Sequence, residues 1–425
     1  MVRAMADTNA TPPPAPSARL RTALAAVVSA LALVAAMHIW VGAQVRRDLG
    51  WFKGAPPAKD LSAVALQKLT GVAVQAGAFR NPEFLPVYGS SELTQPQPNR
   101  PDDFFRARPT GFDVFPVAYP GETDLVVATK LAALGPVVRG RKAVVFLSPS
   151  WFQVAELDPP GFGANFSPLQ GSRTVFGSGL SQGLKRDLAR RLLDYPELVG
   201  QYPLLKTSLG CAAAGGAVDC LLLGALTPLG VLQNLCLQES DRAKVAVWLH
   251  DHPLPPNGPP PAVPAVIDWD ARLREAEEFY RQQPVLTTYS TTARTGFDDA
   301  RVAAFRDPAH PEVPPDDNFA RVCLSAKEWS DLDLLLRTAR ELDLRLLLVC
   351  QPLNANFGAL QGLTTRSGEL FYSRLRTAVA PYPTAKLLTF PQAENDPHWF
   401  VDATHPTAKA WLAYDRALDA FYHAP

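Results

Sequence analysis

The sequence predicts an α/β fold built around a largely parallel β-sheet. Short apolar runs typical of buried strands alternate along the chain with segments of helical periodicity, which is the pattern of parallel strands joined by helices. The 425 residues are enough to bury a large core, as one large domain or two modest ones. Two short polar segments, one near each end of the alternating pattern, indicate where a functional site would form.

The chain begins with a tail, residues 1–21, whose composition is typical of disorder. An uncharged and almost wholly apolar segment, residues 22–44, follows it. This segment is long enough to cross a hydrocarbon layer of about 30 Å, so we expect a transmembrane helix. The alternative is a cleaved secretory signal, for which Val41-Gly42-Ala43 supplies small residues. The segment exceeds the usual signal core of about 7–15 residues, which favours a retained anchor.

The remaining chain, residues 45–425, carries the alternating pattern. The expected strands are Phe84 to Tyr88, Lys142 to Leu147, Leu344 to Cys350 and Lys386 to Phe390. The expected helices are Glu122 to Leu134, Glu328 to Asp343, Gly368 to Val379 and Pro406 to Tyr422. This order of elements favours a sheet covered by helices rather than a helical bundle.

The middle of the chain, at about residues 159–264, interrupts this order. From Leu204 to Leu237 the sequence is apolar, with only Lys206 and Asp219 charged, and a proline-dense linker follows. We interpret this region as an insertion on the sheet that is helical in part. Its apolar surface either packs against the body of the domain or contacts a membrane or a partner, and packing is the more common arrangement.

Charge and cysteine content limit the class of protein. Lys+Arg and Asp+Glu both number 41, and no basic run occurs, so a nucleic-acid partner is not expected. Five cysteines are present, and the spacing of Cys211 and Cys220 would allow a small disulfide loop in an oxidising compartment. Cys350 ends an apolar strand and is expected to be a buried thiol. No Cys-x-x-Cys occurs, which gives no support to a zinc knuckle.

The first polar segment is Gly89-Ser90-Ser91-Glu92-Leu93, which directly follows an apolar strand. A serine on the turn at a strand end can expose its hydroxyl while a backbone N–H faces a substrate oxygen. The nucleophile would be Ser90 or Ser91. A surface turn without chemistry is the commoner role of such a tripeptide, and Glu92 would either hold the turn or line a pocket.

The second polar segment is Asp402-Ala403-Thr404-His405, near the C-terminus. A carboxylate three residues before a histidine can hold Nδ1–H of the imidazole and leave Nε2 free to accept a proton. Thr404 or His405 could also simply N-cap the last helix, with Pro406 in its first turn. His398, Asp402 and His405 have a spacing that suggests a metal, but the flanking prolines argue against one helical face, so no metal is expected.

Serine early and Asp-x-x-His late is the chain order of SGNH-type esterases and acyltransferases, and the Gly-Ser-Ser-Glu-Leu turn resembles that of the DltD family. Further segments of the chain match DltD motifs in order and character. They are the N-terminal apolar segment, Val144-Val145-Phe146-Leu147-Ser148-Pro149-Ser150-Trp151-Phe152, and Leu346-Leu347-Leu348-Val349-Cys350-Gln351-Pro352-Leu353-Asn354. The resemblance implies an SGNH-hydrolase-like three-layer sandwich on one membrane helix, with residues 45–425 outside the cytoplasm.

The resemblance also assigns roles to the candidate residues. Aligning Gly-Ser-Ser with the usual SGNH Gly-Asp-Ser places the nucleophile at Ser91, with Asp402 and His405 as its partners. The oxyanion donors would be the Ser91 N–H and the Asn354 side chain, although a turn asparagine is the commoner role. The usual SGNH Gly-x-Asn-Asp segment is absent. The expected supporting residues are Ser90, Glu92 and Trp151.

Three classes of function stay open at this point. The first is an acyltransferase that passes a D-alanyl or acetyl group to a hydroxyl of an envelope glycopolymer, together with a membrane-bound O-acyltransferase and an acyl carrier. D-alanylation of teichoic acid is the familiar case in the family. The second is a periplasmic esterase or thioesterase, and the third is a non-catalytic scaffold of the acyltransferase complex. None of the three requires a cofactor.

Overall fold

The computed structural model of the chain describes residues 71–156, 159–177, 179–251, 265–284 and 304–425, and helical positions between 24 and 43. The predicted tail, residues 1–21, lies outside the described residues, and the predicted span, 22–44, lies only partly within them. Positions 24–30 and 35–37 of that span are helical.

The strands and helices alternate over most of the described chain. The strands are β1 (Phe84–Gly89), β2 (Asp113–Ala118), β3 (Lys142–Leu147), β4 (Arg345–Cys350) and β5 (Ala385–Thr389). The helices before β4 are α1 (Val72–Arg80), α2 (Pro101–Ala107), α3 (Asp124–Leu134), α4 (Pro159–Asn165), α5 (Pro168–Phe176), α6 (Gln182–Leu193), α7 (Pro196–Gly200), α8 (Pro203–Ala214), α9 (Ala217–Asp251), α10 (Trp269–Arg281), α11 (Pro315–Ser325) and α12 (Glu328–Glu341). The later helices are α13 (Ala355–Leu360), α14 (Thr365–Val379) and α15 (Ala408–His423).

The sheet has the strand order β2-β1-β3-β4-β5, and all of its neighbouring strands are parallel. Its strands are short and buried on both faces, which explains their continuous apolar sequences. The prediction of an α/β fold with a largely parallel sheet is therefore confirmed. Sequence reasoning did not identify β2, whose interior contains Pro116. Proline is tolerated there because β2 is an edge strand.

Two apolar layers cover the sheet, one on each face. On one face, Tyr88, Val145 and Leu348 point into a large core formed with α1, α3, α5, α6, α8, α12 and α14. On the other face, Val144 and Leu347 contact a smaller, aromatic-rich core formed with α2 and α15. Successive strand residues alternate between the two cores, as expected for a sheet enclosed between helical layers.

The predicted insertion lies between β3 and β4, and its described part consists of helices α4 to α9. The final helix of this set, α9, carries a 31-residue apolar stretch, Ala217–Val247, that would be long enough to cross a membrane, although little of it is buried. The expected Cys211–Cys220 disulfide is not formed, and all five cysteines are free thiols. Cys211 is buried in α8, whereas Cys220 lies exposed at the start of α9, so their side chains face different surroundings.

Candidate active site

The serine turn at the end of β1 is held by its own glutamate. Ser90 N–H donates to Glu92 Oε1 at 2.6 Å, and a short 3₁₀ helix begins at Ser91. A Cβ at Gly89 would overlap Glu92 Oε1 and lie 2.7 Å from Leu93 Cδ1, so a larger residue at this position would displace the Glu92 and Leu93 side chains. The Gly-Ser-Ser-Glu-Leu sequence thus fixes the direction in which the Ser91 hydroxyl leaves the strand.

Ser90 and Ser91 point to different partners. Ser90 is buried, and its Oγ accepts a hydrogen bond from Gly121 N–H at 3.0 Å. Gly121 lies in the loop after β2 and has φ +84°, a backbone conformation that residues other than glycine rarely adopt. Ser91 instead faces His405, with 2.8 Å between Ser91 Oγ and His405 Nε2. Ser90 therefore ties two loops together, and Ser91 is the serine that contacts an imidazole.

The loop before α15 presents that imidazole. Asp402 Oδ1 accepts the backbone N–H groups of Thr404 and His405, both at 2.8 Å, and Asp402 Oδ2 lies 2.7 Å from His405 Nδ1. An antiparallel bridge between Phe400 and Pro406 closes the base of the loop. Asp402 thereby fixes both the loop and the ring, and its bond to Nδ1 leaves Nε2 to accept a proton from Ser91.

The helix start contributes to the same loop. Thr407 is the N-cap of α15, and its Oγ1 accepts from Ala410 N–H and donates to His398 O at 2.7 Å. Capping is thus performed by Thr407 rather than by His405. One continuous segment therefore caps the helix and presents the imidazole, through Thr407 and His405 respectively.

The electrostatics of the loop set the proton affinity of the imidazole. Burial alone lowers the pKa of His405, but the hydrogen bond and charge of Asp402, together with the charge of Glu92, raise it above its ordinary value. Burial likewise raises the pKa of Asp402, but the bond to His405 and the two backbone N–H groups bring it below its ordinary value. Asp402 therefore stays ionised and favours the protonated imidazole.

A cavity of about 610 Å³ opens at the carboxyl edge of the sheet beside these groups. It is lined by residues that follow β1, β3 and β4, including all three predicted supporting residues, Ser90, Glu92 and Trp151. The carboxyl ends of parallel strands are the usual place for a site in such sheets, because several loops converge there. No lysine or arginine is among the described residues that line the cavity.

Asn354, predicted as an oxyanion donor, lies at the start of α13 and lines the cavity. Its Oδ1 accepts from Phe357 N–H at 3.1 Å as an N-cap, and its Nδ2 donates to Asp402 O at a long 3.4 Å. The side chain therefore stabilises the helix and touches the loop of His405. Nδ2 carries two hydrogens, so its bond to Asp402 O does not use the whole donor capacity of the amide.

Three polar residues near the site were not found from the sequence. Gln95 Nε2 lies 3.4 Å from Nδ1 and 3.5 Å from Nε2 of His405, and Gln351 is buried in the cavity wall. Glu394 also lines the cavity, and its Oε1 is buried without a hydrogen-bond partner among the described residues. Burial raises the pKa of Glu394, although a hydrogen bond with Tyr372 opposes this. No local motif marks these residues, since distant loops bring them together.

Comparison with known proteins finds relatives that match most of the chain. Protein DltD of Bacillus subtilis (strain 168) is 22% identical over 369 residues, covering 85% of this chain and 88% of that protein. Protein DltD of Staphylococcus aureus (strain NCTC 8325 / PS 47) is 22% identical over 373 residues, covering 87% and 89%. Protein DltD of Lacticaseibacillus rhamnosus is also 22% identical, covering 85% and 82%. The family model described as DltD protein matches residues 62–423, from the segment before α1 to the end of α15, and the chain therefore belongs to the DltD family.

Proposed function

We propose that this protein is a membrane-anchored serine acyltransferase that places an acyl group, D-alanyl or acetyl, on a hydroxyl of an envelope glycopolymer. The single observation that carries this proposal is the continuous hydrogen-bonded series from Asp402 through His405 to Ser91 at the mouth of a cavity. Membership of the DltD family supports the acyl chemistry and the envelope setting, with D-alanylation of teichoic acid as the family's familiar case.

The reaction has two balanced halves. In the first, Ser91 Oγ attacks the donor carbonyl while its proton moves to His405 Nε2, and the leaving group departs with that proton. Asp402 stabilises the imidazolium that forms in between. In the second, a hydroxyl of the acceptor gives its proton to His405 and attacks the acyl-serine, which forms the new ester and restores Ser91.

The oxyanion of each half-reaction needs donors within the cavity. We assign the Ser91 backbone N–H as the first donor, because a turn at a strand end aims it at the attacked carbonyl. Asn354 is the second donor we assign, since it lines the cavity and its Nδ2 bond to Asp402 O is long enough to be exchanged.

The partners follow from the same proposal. A membrane-bound O-acyltransferase, with an acyl carrier, would deliver the acyl group at the outer surface of the cytoplasmic membrane. The apolar segment at residues 22–44, helical at its described positions 24–30, would hold the domain there, with residues 45–425 extracytoplasmic. Transfer rather than hydrolysis is favoured because the acceptor hydroxyl lies at the same surface.

Covalent labelling of the full chain in membranes tests the nucleophile. A fluorophosphonate probe should modify Ser91, and peptide mass spectrometry should find the adduct on that residue. Ser91→Ala should abolish labelling and should fail to restore base-labile acyl esters on envelope glycans in a deletion strain. Ser373→Ala, at an exposed serine of α14, is the control and should behave as wild type. Restored esters with Ser91→Ala would contradict the proposed chemistry.

A further inference from the structure

The outward surface of α9 is apolar over most of its length. Between positions 217 and 236, every exposed residue is an uncharged Ala, Val, Leu, Gly, Pro or Cys. The large side chains of this outer face, as we call it, are Val218, Leu221, Leu222, Leu229, Val231, Leu232 and Leu235. Leu221 is 76% exposed and Leu229 is 55% exposed. At 1.5 Å per residue, the outer face is roughly 30 Å long.

The opposite side of α9 is already used for packing. Gly230 lies so close to the Phe176 ring of α5 that a Cβ there would overlap it, and Val245 is fully buried. Arg173 Nη1 also donates to Gln238 Oε1 at 3.3 Å across the same contact. The outer face is thus not a core surface that a small rotation of α9 would bury, and no described element covers it.

An apolar helix face of this length is stable next to water only when lipid or another protein covers it. Surface leucines scattered singly need no explanation, but a continuous row of this length marks a contact surface. A long apolar helix is commonly either a buried core helix or an N-terminal signal sequence. α9 is neither, because little of its apolar stretch is buried and it lies far from the N-terminus.

The composition of the outer face favours lipid over protein as its partner. Protein interfaces concentrate their binding energy in Trp, Tyr and Arg, whereas Leu and Val are under-represented there. The outer face contains none of the three favoured types. Beyond its end, Lys244 of α9 and Arg80 of the adjoining α1 are exposed, while Glu239 and Asp241 of α9 are buried. Basic residues beside an apolar face suit the anionic surface of a bilayer.

The location of α9 agrees with this partner. Ala73 N–H of α1 donates to Asp241 Oδ2 of α9 at 3.0 Å. The first described element after the apolar N-terminal segment, α1, therefore lies beside α9. A domain tethered at that corner presents α9 near the membrane that holds the tether.

We propose that the outer face of α9 lies flat in the interfacial layer of a lipid bilayer, as a second membrane contact beside the N-terminal segment. The inner side keeps its packing on α5, so the helix lies along the surface and does not cross it. This contact is independent of the chemistry proposed for Ser91. It would fix the orientation of the cavity relative to the bilayer through two contacts instead of one.

Two native thiols report on the proposal directly. Cys220 is exposed in the first turn of α9 and Cys236 is exposed near the far end of the outer face, whereas Cys211, Cys323 and Cys350 are buried. The full chain, with either exposed thiol labelled with bimane, is reconstituted in phosphatidylglycerol–phosphatidylethanolamine vesicles that contain a spin-labelled lipid. The sites are 16 residues apart, about 24 Å along the helix. We expect quenching at both sites, stronger from a shallow 5-doxyl than from a deep 12-doxyl chain.

Each other result would overturn the proposal in a defined way. Quenching at very different depths for Cys220 and Cys236 would show that α9 crosses the bilayer. No quenching in vesicles, with protection of both thiols in native membranes, would show that a protein partner covers the face. The control carries Ser373→Cys with Cys220→Ser and Cys236→Ser, and its exposed α14 label should not be quenched.

A second measurement avoids labels. A protease site is inserted into the full chain between residues 50 and 60 and is cut in isolated membranes after folding. The wild-type domain should stay with the membrane at low salt, and Leu221→Glu with Leu229→Glu should release most of it. Leu324→Glu with Leu360→Glu, at exposed leucines of α11 and α13, is the matched control and should stay bound. Equal release of the wild-type domain, the α9 variant and the control variant would contradict the proposal.

Discussion

At the scale of single residues, the series from Asp402 to Ser91 acts as one unit. Asp402 bonds to Nδ1 of the His405 ring and to two backbone N–H groups of its own loop. The position of the ring therefore depends on Asp402 and on the loop. A serine hydroxyl without the adjacent imidazole is a weak nucleophile, and an imidazole without the carboxylate is poorly oriented.

We therefore expect Ser91→Ala, His405→Ala and Asp402→Asn each to lower acylation on the order of 10³-fold or more. The double variant Ser91→Ala with His405→Ala should be little worse than either single change, because the groups act together. Circular dichroism of each variant should match the wild type. Additive losses in the double variant would show that the residues contribute separately.

The charges around His405 predict a pH dependence of Ser91 labelling. The imidazole must be neutral to accept the serine proton, and Asp402 and Glu92 raise its pKa, so the rate should rise with pH through a midpoint above about 6.5. Glu92→Gln removes one negative charge and keeps an Oε1 acceptor for Ser90 N–H, so the midpoint should move to lower pH. Exposed Glu312→Gln is the control. An unmoved midpoint in Glu92→Gln would exclude this influence.

We expect Glu394 to give the cavity a preference among acyl groups. Its Oε1 is buried and unpartnered among the described residues, and no described lining residue is cationic. A charged hydrogen bond to an alanyl ammonium is worth about 1.5–3 kcal/mol, so Glu394→Gln should raise KM for an alanyl ester roughly tenfold to a hundredfold. KM for an acetyl ester, which has no ammonium group, should not change. Equal effects on both esters would assign Glu394 to structure alone.

At the scale of elements, the turn after β1 sets the geometry of the nucleophile. A Cβ at Gly89 would displace Glu92 from Ser90 N–H, which shifts the 3₁₀ turn that begins at Ser91. Gly89→Ala should therefore lose most fluorophosphonate labelling while its thermal unfolding stays cooperative. Gly210→Ala, in α8 with open space around it, should label normally and unfold at an equal or higher temperature. Normal labelling of Gly89→Ala would show that the turn adapts.

The elements that sequence reasoning predicted correctly have strong local signals. β3, β4, α3 and α12 have continuous apolar or helical patterns, and their predicted bounds agree with the structure to within a few residues. The edge strand β2 has a weaker pattern, interrupted by proline. The contacts of Ser91 with His405 follow from two recognisable motifs, whereas Gln95, Gln351 and Glu394 enter the site through tertiary folding alone.

At the scale of the whole molecule, attachment should matter as much as the site. On the proposed function, an integral-membrane partner would deliver the acyl group at the bilayer, and tethering would keep the cavity there at high effective concentration. We expect replacement of residues 22–44 by an unrelated membrane helix to restore envelope acylation in a deletion strain.

The counterpart of this experiment replaces the same residues by a cleaved secretory signal. The released form should label at Ser91 but restore only a small fraction of the envelope esters. Adding Leu221→Glu and Leu229→Glu to the released form should remove that fraction, because both membrane contacts are then lost. Full restoration by the released form at native expression would contradict the membrane-coupled model.

The site residues come from opposite ends of the chain, since Ser91 and His405 are 314 positions apart. The central strands β3 and β4 pair across the entire helical region between them. Closing such a long loop is entropically costly, so this pairing is favoured only after the intervening helices have folded. A nascent chain that ends before Asp402 has a serine but no base to activate it. If Ser91 is the nucleophile, its reaction would begin only when the segment that carries Asp402 and His405 is in place.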